Sequence, residues 1–260
     1  LRLKTGTTPV VVLRNCVDDP GAAELAAAMR TYGRKAGLEA LELPHNLSMS
    51  EAGLQHLASA ILAEDFPGLQ ELDISYNPQL GDQAGDALLP LLKPKMTQVN
   101  TLRVADCGLS ASFLQRFAEK VAKSKLRLLD VSYNTFAGAG EALVTLLEAP
   151  VLEELLLACC GLQLADVEAV AEQLPYTSLR SLNLGGNRIG GAGLAVLAEH
   201  LPRSQVDELG LEGNDLEAGD LSSLGQAWAK RPFSRLRISG NRMSQAEMAK
   251  FIRTLKSIHS

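Results

Sequence analysis

The sequence predicts an α/β solenoid of about nine stacked repeats, each adding a short strand to an inner parallel sheet and a helix to the outside, curved like a horseshoe. Three observations predict it. A pattern of apolar residues closing on Asn or Cys recurs along the 260 residues. Within each copy two central apolar positions alternate with mostly polar ones, the period of a half-buried strand. After the copies, apolar residues recur three and four apart, the mark of a half-buried helix.

The copies run Thr8, Val11, Leu13, Cys16; Leu38, Leu41, Leu43, Asn46; Leu69, Leu72, Ile74, Asn77; Val99, Leu102, Val104, Cys107; and Leu126, Leu129, Val131, Asn134. They continue as Leu152, Leu155, Leu157, Cys160; Leu179, Leu182, Leu184, Asn187; Val206, Leu209, Leu211, Asn214; and Phe233, Leu236, Ile238, Asn241. Their starts are 30, 31, 30, 27, 26, 27, 27 and 27 residues apart. A fixed period of this size marks units that bury their apolar faces only by stacking. The first copy is the weakest, because Thr8 is off-pattern.

Each element has a physical reason. In the third copy Leu72 and Ile74 point to one side, and Glu71, Asp73 and Ser75 to the other. At the Asn or Cys the chain turns out of the strand and leaves backbone groups without ladder partners. A buried polar group without a partner is costly, so an amide with both donors and an acceptor suits the position. A second apolar residue follows in Leu47, Leu80, Leu109, Phe136, Leu162, Ile189, Leu216 and Met243. Helical spacing is clearest over 142–147 and 193–201. Ser50, Ser110 and Ser244 stand at expected N-caps. Asp82, Glu141, Asp166 and Glu217 sit near helix starts, where negative charge is favoured. Pro67, Pro94, Pro150, Pro175, Pro202 and Pro232 fall near helix ends.

The motif L-x-x-L-x-L-x-x-N/C-x-L followed by a full helix resembles the leucine-rich repeat family, and within it the ribonuclease-inhibitor-like subclass. That group includes ribonuclease inhibitor, the GTPase-activating protein of Ran, tropomodulin and the repeat domains of NOD-like receptors. The run L-R-S-L-N-L-G-G-N-R-I-G-G-A-G-L-A-V-L-A-E-H-L from Leu179 to Leu201 matches the pattern almost position for position, and the resemblance covers about residues 8–258. It implies a scaffold that holds another macromolecule. The family is defined by its fold, so function is read from surface residues.

Composition bounds the rest. With 46% apolar residues and no linker interrupting the period, residues 1–260 read as one domain closed by a capping helix over 244–260. Its core is linear, and its stability is nearly a sum of neighbour terms. No stretch approaches the roughly 20 apolar residues of a membrane helix. The chain starts at Leu1 rather than Met, which reads as a fragment or processed form. Cys16, Cys107 and Cys160 occupy the Asn/Cys column. The closest two lie two strands apart, roughly 10 Å, beyond the roughly 7 Å reach of a disulfide. A vicinal Cys159–Cys160 bridge would be strained. Four free thiols and a cytoplasmic or nuclear setting are expected. The cysteine spacing matches no metal site, and no metal or cofactor is expected.

Charge is uneven. Residues 1–127 carry 14 acidic and 14 basic side chains, residues 128–227 carry 15 and 3, and residues 228–260 carry 1 and 8. The basic end holds Lys230, Arg231, Arg235, Arg237, Arg242, Lys250, Arg253 and Lys256. It reads either as a solvated terminal cap or as a contact for an acidic protein or nucleic acid. Arg235 and Arg237 fall on the outward side of a strand, which favours contact.

The concave face is the expected binding surface. Its candidate residues are Glu42, Glu71, Asp73, Tyr76, Arg103, Asp106, Asp130 and Tyr133, with Arg235 and Arg237 at the basic end. His45, Pro44, Ala40, Ser75, Ala105 and Ser132 share those rows. Tyr and Arg concentrate binding energy at interfaces, and carboxylates steer a basic partner. The glycine-rich run from Gly185 to Gly193 lacks the Gly-Lys-Ser/Thr ending of a phosphate loop. His45 and His56 of the second repeat, His200 and His259 have no matching nucleophile or carboxylate set, so catalysis is not expected. The expectation is a non-catalytic scaffold for a protein with a basic surface. Regulation of a small GTPase, implied by the resemblance to the Ran activator, stays as the alternative.

Overall fold

The computed structural model describes residues 10–33, 37–63, 66, 68–94 and 97–258; Thr8, Pro67 and His259 lie outside them. The chain packs as two compact units, 1–135 and 136–260. Both are α/β solenoids, strand and helix alternating along the chain.

In the first unit β1 (Val10–Val12), β2 (Ala40–Glu42), β3 (Glu71–Asp73), β4 (Thr101–Arg103) and β5 (Leu128–Asp130) lie parallel in chain order. Their register aligns Val11, Leu41, Leu72, Leu102 and Leu129 in one row, and all five are buried. Burying a leucine contributes about 1.5–3 kcal/mol. A three-residue strand has few ladder bonds of its own, so this row of side chains holds the sheet. The helices are α1 (Asp19–Ala28), α2 (Glu51–Ala63), α3 (Gly81–Asp86) and α4 (Ala111–Val121).

In the second unit β6 (Glu154–Leu156), β7 (Ser181–Asn183), β8 (Glu208–Gly210) and β9 (Arg235–Arg237) repeat the pattern with Leu155, Leu182, Leu209 and Leu236 in register. The helices are α5 (Gly140–Leu147), α6 (Leu164–Gln173), α7 (Gly190–His200), α8 (Leu221–Lys230) and α9 (Gln245–Ile258). Pro175 and Pro202 sit inside the 3-10 turns Leu174–Tyr176 and Leu201–Arg203 that close α6 and α7. A residue without an N–H fits such a terminus better than a helix interior.

The Asn column works as the residue chemistry requires. Asn134 Oδ1 accepts from the N–H groups of Cys107 (3.1 Å) and Leu109 (3.0 Å), and its Nδ2 donates to the carbonyls of Val104 and Val131, both at 2.9 Å. Asn187 does the same between Cys160, Leu162, Leu157 and Leu184. Each amide satisfies four backbone groups that the turn strands. Cys107 has one weak donor and aims it at the Ile74 carbonyl, 3.2 Å away.

Three details differ from expectation. Leu47 is 55% exposed, and Met49 is the buried residue instead. The turns of the second and third repeats are one residue longer than the later ones, Met49 N–H donating to the Asn46 carbonyl at 2.9 Å and Leu80 N–H to that of Asn77 at 3.1 Å. The next amide in the column, Asn77, has a buried Oδ1 with no donor among the described residues. Secondly, Ser50 and Ser110 hold the expected N-cap places, and Ser50 Oγ accepts the Ala52 N–H at 3.3 Å, but both hydroxyls also donate to the preceding repeat, to Asp19 (2.6 Å) and Asp82 (2.5 Å). These carboxylates also accept the N–H groups of Ser50 and Ser110, so they staple one repeat to the next. Ser244 alone of the three makes a capping box, with Glu247. Thirdly, Ala40, Pro44, Ser75, Ala105 and Ser132 are buried and do not line an open face. Ser75 Oγ accepts the Ala105 N–H at 3.2 Å, so the neighbouring repeat covers it.

Candidate protein interface

The side chains that reach solvent from the first unit's sheet fall into two groups. The first is paired within the chain. Arg103 forms an ion pair with Glu71, and Arg14 approaches Glu42 at 3.9 Å. In register Arg103 lies between Asp73 and Asp130, yet its guanidinium turns to Glu71. The second group therefore stays acidic. Among the described residues no cation lies within ion-pair distance of Asp73, Asp106 or Asp130. Asp73 Oδ1 accepts the Ser75 N–H at 2.8 Å, and Asp130 Oδ1 accepts the Ser132 N–H at 3.0 Å. These bonds hold both carboxylates in place.

Aromatic rings stand above this acidic row. His45 stacks on Tyr76 with ring centroids 4.4 Å apart and planes within 4°. Tyr133, 52% exposed, tilts toward Tyr76 at 45° with centroids 6.4 Å apart. Burial raises the Tyr76 phenol above its ordinary value of 10.0, and Asp130, Asp106 and Asp73 raise it further. All three carboxylates thus act on one ring.

The backbone under these rings is unusual. The residue before the Asn or Cys has positive φ in every repeat: Asn15, His45, Tyr76, Asp106, Tyr133 and Cys159, then Gly186, Gly213 and Gly240. The conformation belongs to the turn, because it lets this residue's N–H reach the next repeat. Tyr76 N–H donates to the Ala105 carbonyl at 2.6 Å and Gly186 N–H to that of Glu212 at 2.7 Å. For a residue with a Cβ this region costs roughly 1–2 kcal/mol. Three repeats of the second unit use glycine, and the first unit uses none.

The structure brings Tyr76, Tyr133, Asp73, Asp106 and Asp130 together. Glu42, Glu71 and Arg103 lie on the same face but are engaged with one another or with Arg14. His45 completes the aromatic group and was no more than a neighbour in the sequence argument. The signal for it was its column, one residue before the Asn, shared with Tyr76 and Tyr133.

At the basic end Arg235 meets Glu208 at 3.2 Å, Arg237 meets Glu212 at 3.0 Å and Arg242 meets Asp215 at 3.1 Å. Arg231 donates to the Val206 carbonyl. Arg235, Arg237 and Arg242 each reach back one repeat, while Arg231 stays within its own. Among the described residues no group of three metal-ligating side chains gathers, and no helix is long and apolar enough to cross a membrane.

The family model described as leucine-rich repeat matches residues 69–89 and 177–198. Tonsoku-like protein of Mus musculus is 32% identical over 179 residues, which is 66% of this chain and 12% of that protein. Ribonuclease inhibitor of Sus scrofa is 31% identical over 203 residues, 75% of this chain and 42% of that protein. The chain thus spans less than half the length of these relatives. The crystal structure of an internalin from Listeria monocytogenes superposes with a TM-score of 0.53 at 19% identity, covering 96% of this chain and 64% of that one. At that identity the likeness concerns the fold.

Proposed function

From the premise that the chain is a leucine-rich repeat protein of the ribonuclease-inhibitor-like subclass, we propose that it is a non-catalytic scaffold holding a protein partner on the open sheet face of residues 1–135. The partner presents a basic surface to Asp73, Asp106 and Asp130, and Tyr76 and Tyr133 supply the main contact area. One observation carries this reading: two tyrosines and a histidine occupy left-handed positions that glycine fills elsewhere in the same chain. The relation to a protein named as an inhibitor of ribonuclease supports binding rather than catalysis. Two buried thiols among four free cysteines support a reducing compartment, cytoplasm or nucleus.

Nucleic-acid contact through Arg235 and Arg237 is the weaker reading, because each guanidinium already meets a carboxylate of the eighth repeat. Nothing in the geometry favours regulation of a GTPase over other protein binding.

The test is affinity capture with quantitative mass spectrometry, comparing the parent chain with a Tyr76→Gly, Tyr133→Gly variant. Glycine suits both backbones, so the variant keeps the fold. At least one protein captured by the parent should be lost. An unchanged set of captured proteins sinks the proposal.

A further inference from the structure

The two faces of the Tyr76 ring differ. One is covered by His45 at 4.4 Å. On the side of Tyr133 the second ring stands at 45° with its centroid 6.4 Å away and is 52% exposed, so the two planes form a wedge. Between these two repeats the turn position belongs to Asp106, and Asp73 and Asp130 lie on the strands beside it. We propose that this wedge receives an arginine side chain of the protein partner, the guanidinium stacking on the open face of Tyr76 and forking onto Asp106. This rests on the binding reading above and names the chemistry of its central contact.

The chemistry selects arginine from the alternatives. An apolar side chain would cover the rings but desolvate carboxylates without pairing them, which is costly. An acidic one would be repelled. A lysine ammonium matches the charge, but it is compact and strongly hydrated, and has no flat face. A guanidinium is planar, continues the stack that His45 begins, and offers parallel N–H donors to a carboxylate. The chain's own cation on this face, Arg103, turns to Glu71 and leaves the Asp row open. The carboxylates of Asp73 and Asp130 are already fixed by the Ser75 and Ser132 N–H groups, so binding need not order them.

The test uses the full chain and a labelled lysine-rich peptide with one central arginine, read by fluorescence polarisation. Two further peptides replace the arginine by lysine, which keeps the charge, and by citrulline, which keeps the shape. The arginine peptide should bind the parent chain about tenfold more tightly than either, about the net worth of one hydrogen bond to a charged group. Asp106→Asn and Tyr133→Gly should each bring the three affinities together. Asn and Gly tolerate positive φ, and circular dichroism melting confirms that the variants fold. Equal binding of arginine and lysine peptides overturns the proposal, as does equal binding of citrulline, tighter binding of a trimethyl-lysine peptide, or no binding of any. If those results come with captured proteins that depend on Tyr76 and Tyr133, the arginine assignment alone fails. If capture is also insensitive, the interface itself lies elsewhere.

Discussion

The imidazole of His45 lies flat on the phenol ring of Tyr76, centroids 4.4 Å apart, although both residues sit at φ of 61°. Two left-handed side-chain-bearing residues cost roughly 2–4 kcal/mol together. A stacked aromatic pair returns about 0.5–1.5 kcal/mol. The stack by itself therefore returns less than the two backbone angles cost, and the hydrogen bonds of the His45 and Tyr76 N–H groups to the next repeat help to hold them.

Tyr133 gives the cleanest measure of that burden, since it is half exposed and loses little burial when truncated. Tyr133→Gly should melt within a few degrees of the parent chain. Tyr133→Ala keeps the strained φ of 60° and should be less stable than the glycine variant by about 1 kcal/mol. Differential scanning calorimetry of the two variants checks the order, and an alanine variant as stable as the glycine one removes the strain argument.

The converse holds in the eighth repeat. A Cβ on Gly213 would meet nothing closer than 3.9 Å, so space is available, but φ is 58°. Gly213→Ala should cost roughly 1–2 kcal/mol by conformation alone. Urea unfolding with an unchanged m-value is the expected signature.

Asp19 couples the first two repeats to pH. Burial raises its carboxyl, but hydrogen bonds from the Ser50 hydroxyl and the Ser50 and Gly53 N–H groups outweigh it, and the net value lies below 3.8. A depressed folded value means that the contribution is fully present above the unfolded value and is lost as pH falls through the folded one. Asp19→Asn should therefore be less stable than the parent at neutral pH, with the gap closing below about pH 4. Thermal melts across pH 2–7 test this; a gap independent of pH contradicts it.

The thiols should divide by burial. Cys16 and Cys159 are exposed, while Cys107 and Cys160 are buried. Burial pushes the Cys107 thiol up to about 12, leaving almost no thiolate at neutral pH. Ellman's reagent should modify Cys16 and Cys159 in the folded chain and the other two after denaturation. Rapid native modification of Cys107, mapped by peptide mass, would contradict the buried column.

Local periodicity made the repeats legible. The aligned Leu41, Leu72, Leu102 and Leu129 row and the Asn column follow from alternation and spacing, because a unit that cannot bury its own apolar side has one way to stack. The aromatic and acidic candidates were also visible, since Tyr76 and Tyr133 share a column with a common L-D-x-S-Y-N string. Leu47 was misread because it directly follows Asn46 and offers a second apolar residue, while the longer turn, shared with the third repeat, turns Met49 inward instead.

By itself, then, the sequence determined the order of the strands, the identity of the buried rows and the type of residue at each turn, since these depend on patterns within and between repeats. Only the tertiary structure decided which charges remain available. Arg103 could have met Asp73, Asp130 or Glu71, and Arg235 could have faced solvent or Glu208. Long side chains choose among neighbours by geometry set in three dimensions, and the backbone angle under Tyr76 is fixed by a hydrogen bond to the following repeat.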